Sequence, residues 1–221
     1  MKHPVAFCWS GGKDSALALF ELRQSAEFEV VALLTTLTRD FDRISMHGVR
    51  RELLLRQAAA IGVPLDEVWI SQGASNAEYE AQMAGQLAKY KAAGINHIAF
   101  GDIFLEDLRM YREQNLARLE LAALFPIWKR DTSELVETFL ARGFRSITCC
   151  IDSRKLDDSF VGREIDRRFL SELPAGVDPC GENGEFHSYT CAGPVFDREI
   201  SVRTGETLRR DSFLFCDLLT N

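Results

Sequence analysis

Six consecutive residues near the N-terminus, Ser10-Gly-Gly-Lys-Asp-Ser15, bring together two hydroxyls, two glycines, a cation and a carboxylate. They close the apolar run PVAFCWS (Pro4–Ser10) and open a segment, Ser15–Gln24, that reads as a helix. A glycine turn between a strand and a helix builds a nest of backbone N–H groups at the positive end of the helix dipole, which suits a phosphate. Gly11 and Gly12 let an anion approach the backbone, Ser10 and Ser15 add hydroxyl donors, and Lys13 adds charge. The Walker A loop is excluded, because it requires a glycine where this chain has Phe7. The Gly-x-Gly-x-x-Gly dinucleotide turn is absent as well.

Further residues with chemical capacity lie downstream. Gly101-Asp102 ends an apolar run and offers a carboxylate to Mg²⁺ or a ribose hydroxyl; capping the next helix is the competing role. Thr36 ends another apolar run, and His47 follows it as a base or phosphate donor, or as a surface histidine with no role. Arg109 and Arg112, three apart on a helix, share a face that would clamp phosphates or a carboxylate, or simply be solvated. In the stretch GENGEFH, Glu182 and Glu185 bracket Asn183 and Gly184 ahead of His187. Carboxylates so placed can hold ammonium or take its proton, although the same residues make good turn chemistry. A zinc site on Cys180, His187 and Cys191 lacks a fourth ligand and the usual spacing.

These residues need a frame, and the chain supplies one. Apolar runs at Pro4–Ser10, Phe28–Leu37, Leu65–Ser71 and Ile95–Ile103 alternate with helical patterns at Ser15–Gln24, Val49–Ile61, Ala77–Ala93 and Glu106–Leu124. Alternation of this kind implies βαβ units and a parallel sheet with helices on both faces. In such a sheet, ligands sit beyond the carboxyl ends of the strands, where Ser10, Thr36, Ser71 and Asp102 are expected. Beyond residue 130 the pattern changes to a helix (Thr132–Arg142), a strand (Phe144–Asp152), a helix (Gly162–Leu173) and short β-like stretches. This gives two units: 1–130, and a smaller α/β lobe over 131–221.

Composition narrows the function classes. The 221 residues carry 26 basic and 33 acidic side chains, and this acidic balance argues against gripping nucleic acid. No apolar run reaches the roughly 18 residues of a membrane span, and the N-terminus does not read as a signal peptide. Six cysteines without a Cys-x-x-Cys pair point to reduced thiols in a cytoplasm. The apolar run FLFCDLL near the C-terminus fits a core strand or a homodimer interface.

Ser10–Ser15 resembles the pyrophosphate loop of the ATP pyrophosphatase (PP-loop) group in the adenine nucleotide α-hydrolase-like superfamily. Four further blocks follow in order: HGVRRELLLRQAAAIGVPL (His47–Leu65), FGDIFLEDLRMYREQNL (Phe100–Leu116), FPIWKRD (Phe125–Asp131) and DPCGENGEFHSYTCAGPVF (Asp178–Phe196). Together they look like the diphthine–ammonia ligase family. The one departure noted is Ser188, where relatives commonly carry threonine. The resemblance implies a HUP-type, Rossmann-like α/β fold and ATP cleavage between the α- and β-phosphates. It also implies amidation by ammonia of a carboxylate, that of diphthine on elongation factor 2. On that reading Ser10–Ser15, Thr36, His47, Gly101 and Asp102 hold MgATP. Arg109, Arg112, Asn183 and Gly184 meet the acceptor, and Lys13, Glu182, Glu185 and His187 carry the chemistry. The lack of a Cys-x-x-Cys pair favours nitrogen over sulfur as the incoming atom. Two rivals stay open: the same chemistry on a small-molecule acid or nucleoside, and a nucleotide sensor without turnover.

Overall fold

Two apolar runs form the middle of a first sheet in the computed structural model, which describes residues 1–45 and 47–221. The chain runs through β1 (His3–Cys8), α1 (Lys13–Arg23), β2 (Phe28–Thr38), β3 (Arg43–Ile44), α2 (Arg51–Ile61) and β4 (Leu65–Ile70). It continues through α3 (Asn76–Ala92), β5 (His97–Ala99), α4 (Glu106–Ala117) and β6 (Ala122–Leu124). β1 pairs in parallel with β2 and β5, β2 with β4, and β5 with β6. The parallel order is therefore β4-β2-β1-β5-β6, a Rossmann-like arrangement, and the short β3 adds an antiparallel pair at the end of β2. The order reverses between β1 and β5, which opens a crevice beyond their carboxyl ends.

The period-2 alternation of strand side chains divides the core between the two faces. Val5, Phe7, Leu33 and Leu37 point to the side packed by α1 and α2, while Ala6, Ala32, Leu34 and Ile98 meet Leu87 and Tyr90 of α3 and Leu116 of α4. Because both faces are covered, the strands read as continuous apolar runs rather than as alternating ones.

After α5 (Thr132–Ala141) come β7 (Arg145–Asp152), a 3-10 turn (Asp158–Phe160), α6 (Arg167–Glu172), β8 (Phe186–Ala192), β9 (Val202–Arg210) and β10 (Phe213–Thr220). Their sheet is wholly antiparallel, in the order β8-β7-β10-β9. β10, the FLFCDLL run, is paired on both edges and buries Leu214, Cys216 and Leu218. The first apolar cluster extends without a break from β1 into this lobe, through Phe139, Phe144, Phe186 and Tyr189.

Three elements differ from the sequence expectation. The helix expected over Glu106–Leu124 stops at Ala117, and Ala122–Leu124 instead becomes a fifth parallel strand beside β5. The helix expected from Gly162 begins at Arg167, where the Asp166 carboxylate accepts from the Phe169 N–H at 2.7 Å. The strand expected over Ile95–Ile103 shrinks to His97–Ala99, which leaves Gly101 and Asp102 in a loop. Among the described residues no helix is long and apolar enough to cross a membrane.

Candidate active site

Between β1 and α1 the chain makes its turn with Gly11 at φ +79° and Gly12 at the helix N-cap, extended. The positive φ is cheap only for glycine. Space forbids a side chain as well, since a Cβ on Gly11 would lie 2.7 Å from the side-chain amide oxygen of Gln57. The Ser15 hydroxyl donates to the Gly12 carbonyl at 2.9 Å and accepts from the Ser10 hydroxyl at 3.1 Å. Gly12 as N-cap has no side chain to offer the first turn; its own N–H donates to the Ser10 hydroxyl at 3.3 Å, and the turn lines a cavity of about 350 Å³.

The second lobe forms the far wall of that cavity. β8 runs along the loop: the Thr190 N–H donates to the Gly11 carbonyl at 2.8 Å, and the Lys13 N–H donates to the Ser188 hydroxyl at 3.2 Å. The Lys13 ammonium is buried, donates to both Asp14 oxygens at 2.8 and 2.9 Å and to the Cys180 carbonyl, and sits 5.2 Å above the Phe186 ring. Burial alone would pull its pKa down, but the Asp14 carboxylate outweighs that and holds the ammonium protonated. Lys13 thus fastens the Asp178–Glu185 turn to the loop as well as supplying charge beside it.

Two histidines line the same cavity from opposite lobes, His47 and His187, with ring centroids 4.7 Å apart. Burial lowers their pKa to about 3 and about 4, so both are neutral at pH 7. Among the described residues His47 Nδ1 is buried without a hydrogen-bond partner, at the mouth of the loop. Cys8 also lines the cavity, but burial raises its thiol to about 12 and keeps it protonated.

From β5, Gly101 presses on the start of α1, where a Cβ would meet Ser15 backbone atoms at 3.0 Å. Asp102 next to it is gripped by Arg112, with Nε 2.6 Å and Nη2 3.1 Å from the two carboxylate oxygens, and that guanidinium lies 4.2 Å from the Phe100 ring centroid. Arg109 points elsewhere. It stacks on Phe125 and Trp128 at 4.9 and 4.7 Å and pairs with Glu113 at 2.7 Å. Arg112 therefore lines the cavity and Arg109 does not.

The two glutamates of the GENGE turn separate in the same way. Glu182 lines the cavity, and its carboxylate accepts from the Ile103 N–H at 2.8 Å. Burial raises its pKa to about 7. Glu185 lies beneath the turn, where one oxygen accepts from the Asn183 amide at 3.3 Å and stands 3.8 Å from Lys155, while the other is buried without a partner among the described residues. Gly184 lines the cavity. Thr36 belongs to a neighbouring cavity of about 200 Å³ along the sheet edge, which shares Cys8, Ser10, His47 and Arg112 with the first.

The carboxylates do not fit a protein-held Mg²⁺. Asp102 is occupied by Arg112, Asp14 by Lys13, and Glu182 by a backbone N–H. A glycine cradle, a helix start whose first N–H groups meet, among the described residues, only the Ser10 and Ser188 hydroxyls, and a neighbouring pocket at the sheet edge do fit a nucleotide polyphosphate. Four residues that hold the loop in shape were not singled out as site residues from sequence: Trp9, Gln57, Ser188 and Thr190. A signal existed for one of them, because Gln57 is a polar residue on the apolar stripe of α2.

Residues 1–121 match the family model described as the diphthamide synthase N-terminal domain, and residues 131–218 match the diphthamide synthase C-terminal domain. The chain is 28% identical over 221 aligned residues to a protein of Danio rerio named diphthine–ammonia ligase, covering 90% of this chain and 86% of that one. Proteins of the same name from Homo sapiens and Schizosaccharomyces pombe are 29% and 24% identical, over 52% and 95% of this chain. The aligned stretch spans 45% of the human and 38% of the fission-yeast relative.

Proposed function

Since the chain belongs to the diphthamide synthase family, we propose that it is an ATP-dependent, amide-forming ligase with its reaction centre in the cavity between the loop and β8. The observation that carries this reading is the glycine cradle at the start of α1, walled by Glu182, Gly184 and His187 of the other lobe.

The polyphosphate lies over Ser10–Ser15, where the backbone N–H groups, the helix dipole and the Lys13 charge favour the pyrophosphate that leaves. Mg²⁺ would be carried by the nucleotide's own phosphates, where it would supply charge neutralisation. A carboxylate of the acceptor attacks the α-phosphorus; the bond to the bridging oxygen breaks, and pyrophosphate departs with the electron pair. Ammonia then attacks the acyl carbon of the resulting mixed anhydride, AMP leaves, and the nitrogen gives up a proton. Neutral His187 and Glu182, whose pKa is near 7, stand at the cavity wall to accept it. Arg112 faces the acceptor carboxylate. Residues 1–130 supply nucleotide binding and 131–221 the acceptor side, with diphthine on elongation factor 2 as the acceptor and a cytoplasmic setting.

Phosphorus NMR of the protein with MgATP and ammonium tests the reading, with and without diphthine-bearing elongation factor 2. AMP and pyrophosphate that appear only with the acceptor support it. ADP and phosphate overturn the α,β cleavage, and turnover with a small carboxylic acid alone moves the acceptor assignment to that class. Saturable ATP binding with no turnover on any acceptor leaves a sensor.

A further inference from the structure

Gln57 is fully buried on the apolar face of α2, where a polar side chain needs a reason. Its amide is completely used. Oε1 accepts from the Trp9 indole N–H at 2.9 Å, and Nε2 donates to the Gly11 carbonyl at 2.9 Å and to the Thr190 carbonyl at 2.7 Å. The indole bond fixes which end of the amide is oxygen, so both Nε2 hydrogens are aimed at carbonyls. The Gly11 carbonyl thereby accepts twice, from Gln57 and from the Thr190 N–H at 2.8 Å.

That double anchoring has a geometric consequence. The peptide linking Gly11 to Gly12 is trans, so its C=O and N–H point in opposite directions. A Gly11 carbonyl held in the core obliges the Gly12 N–H to face the opposite way, toward the cavity that Gly12 and Ser10 line, where it makes a long contact of 3.3 Å to the Ser10 hydroxyl. The opposite orientation would present a carbonyl oxygen to the phosphates, and glycine has no steric preference to prevent it.

We propose that Gln57 is a positioning residue for the phosphate-binding loop: with Thr190 of the second lobe, it locks the Gly11–Gly12 peptide with its N–H toward the anion before any ligand arrives. This inference rests on the reading that the loop binds a polyphosphate. Gln57 never touches the ligand and acts through Gly11. Its contact with Thr190 also makes the loop's geometry depend on the docking of β8.

Calorimetric titration of wild type and Gln57→Met with pyrophosphate, MgATP and adenosine tests the inference. Losing one N–H donor to a charged group predicts about tenfold or greater weakening for pyrophosphate and MgATP. Adenosine, which has no phosphate, should change by less than about twofold. Equal weakening of adenosine and pyrophosphate, or unchanged pyrophosphate affinity in the folded variant, overturns the inference. If wild type binds neither pyrophosphate nor MgATP, the ligase reading itself falls and the inference falls with it. Should Gln57→Met not fold, amide hydrogen exchange on wild type decides. A preset loop shows Thr190 N–H protected without ligand and the Gly12 N–H, held only by its long contact to the Ser10 hydroxyl, gaining protection when pyrophosphate is added. Thr190 protection that appears only with pyrophosphate overturns the inference.

Discussion

Arg112 and Arg109, three positions apart on α4, illustrate how little spacing says about a residue's job. Arg112 sits against Asp102 and the cavity, and Arg109 is stacked between aromatic rings and Glu113. Arg112→Ala would leave the Asp102 carboxylate unneutralised beside the polyphosphate, and the added repulsion should weaken MgATP binding about tenfold. Arg109→Ala should leave that affinity within about twofold and lower only stability, through lost cation–π packing of about 1 kcal/mol. Calorimetric titration of the pair checks this, and equal losses would sink the distinction. Lys13→Ala should abolish turnover while the protein stays folded. Because it strands Asp14 and frees the Cys180 carbonyl, it should also cost about 2 kcal/mol, below the range for fully buried pairs since Asp14 is 29% exposed. Denaturant unfolding measures the cost; an active Lys13→Ala protein would remove Lys13 from the mechanism.

The close approach of the β5 loop to α1 decides how tightly the cavity floor is built. At Gly101 a new Cβ would meet three backbone atoms of Asp14 and Ser15 at 3.0–3.1 Å, and backbone cannot rotate away as a side chain can. Gly101→Ala should therefore destabilise by about 1–3 kcal/mol and displace the helix start that faces the phosphates. A shifted urea midpoint together with weaker MgATP binding would bear this out, and a silent substitution would contradict the close packing. Long elements were legible in sequence, because their apolar runs and 3.6-residue stripes are local signals: β1, β2, β4 and α1 to α3 lie within two residues of expectation. The glycine loop was legible for the same reason. β6 was not, because Arg118–Leu124 has no glycine or proline to end a helix, and only pairing with β5 makes Ala122–Leu124 extended. The division of labour between Glu182 and Glu185 was equally hidden. It depends on which residue of the turn faces Ile103 and which faces Lys155, both distant in sequence.

The whole molecule meets at the His47–His187 contact, one ring from the turn after β3 and the other from β8. Both are held neutral by burial, with pKa lowered from 6.5 to about 3 and about 4. A histidine whose folded pKa is depressed stabilises the fold fully above 6.5. Below that pH the unfolded chain takes up the proton and the folded one resists, so stability falls as pH drops toward 4. Glu182 has the opposite sign. Its pKa is raised from 4.5 to about 7, so its contribution is complete below 4.5 and is lost as pH rises through 7. The junction between the lobes is thus penalised from the acid side by two imidazoles and from the basic side by one carboxylate. Thermal unfolding from pH 4 to 9 for wild type, His187→Gln and Glu182→Gln separates these contributions, because the surface ion pairs are common to all three. His187→Gln should flatten the acid limb between pH 4 and 6.5 and leave the region above 7 unchanged. Glu182→Gln should raise the midpoint relative to wild type progressively from about pH 4.5, with the gain complete by about pH 7 and constant above it. An acid limb equally steep in His187→Gln would mean that the imidazole titrates normally and that the lobes do not close over it.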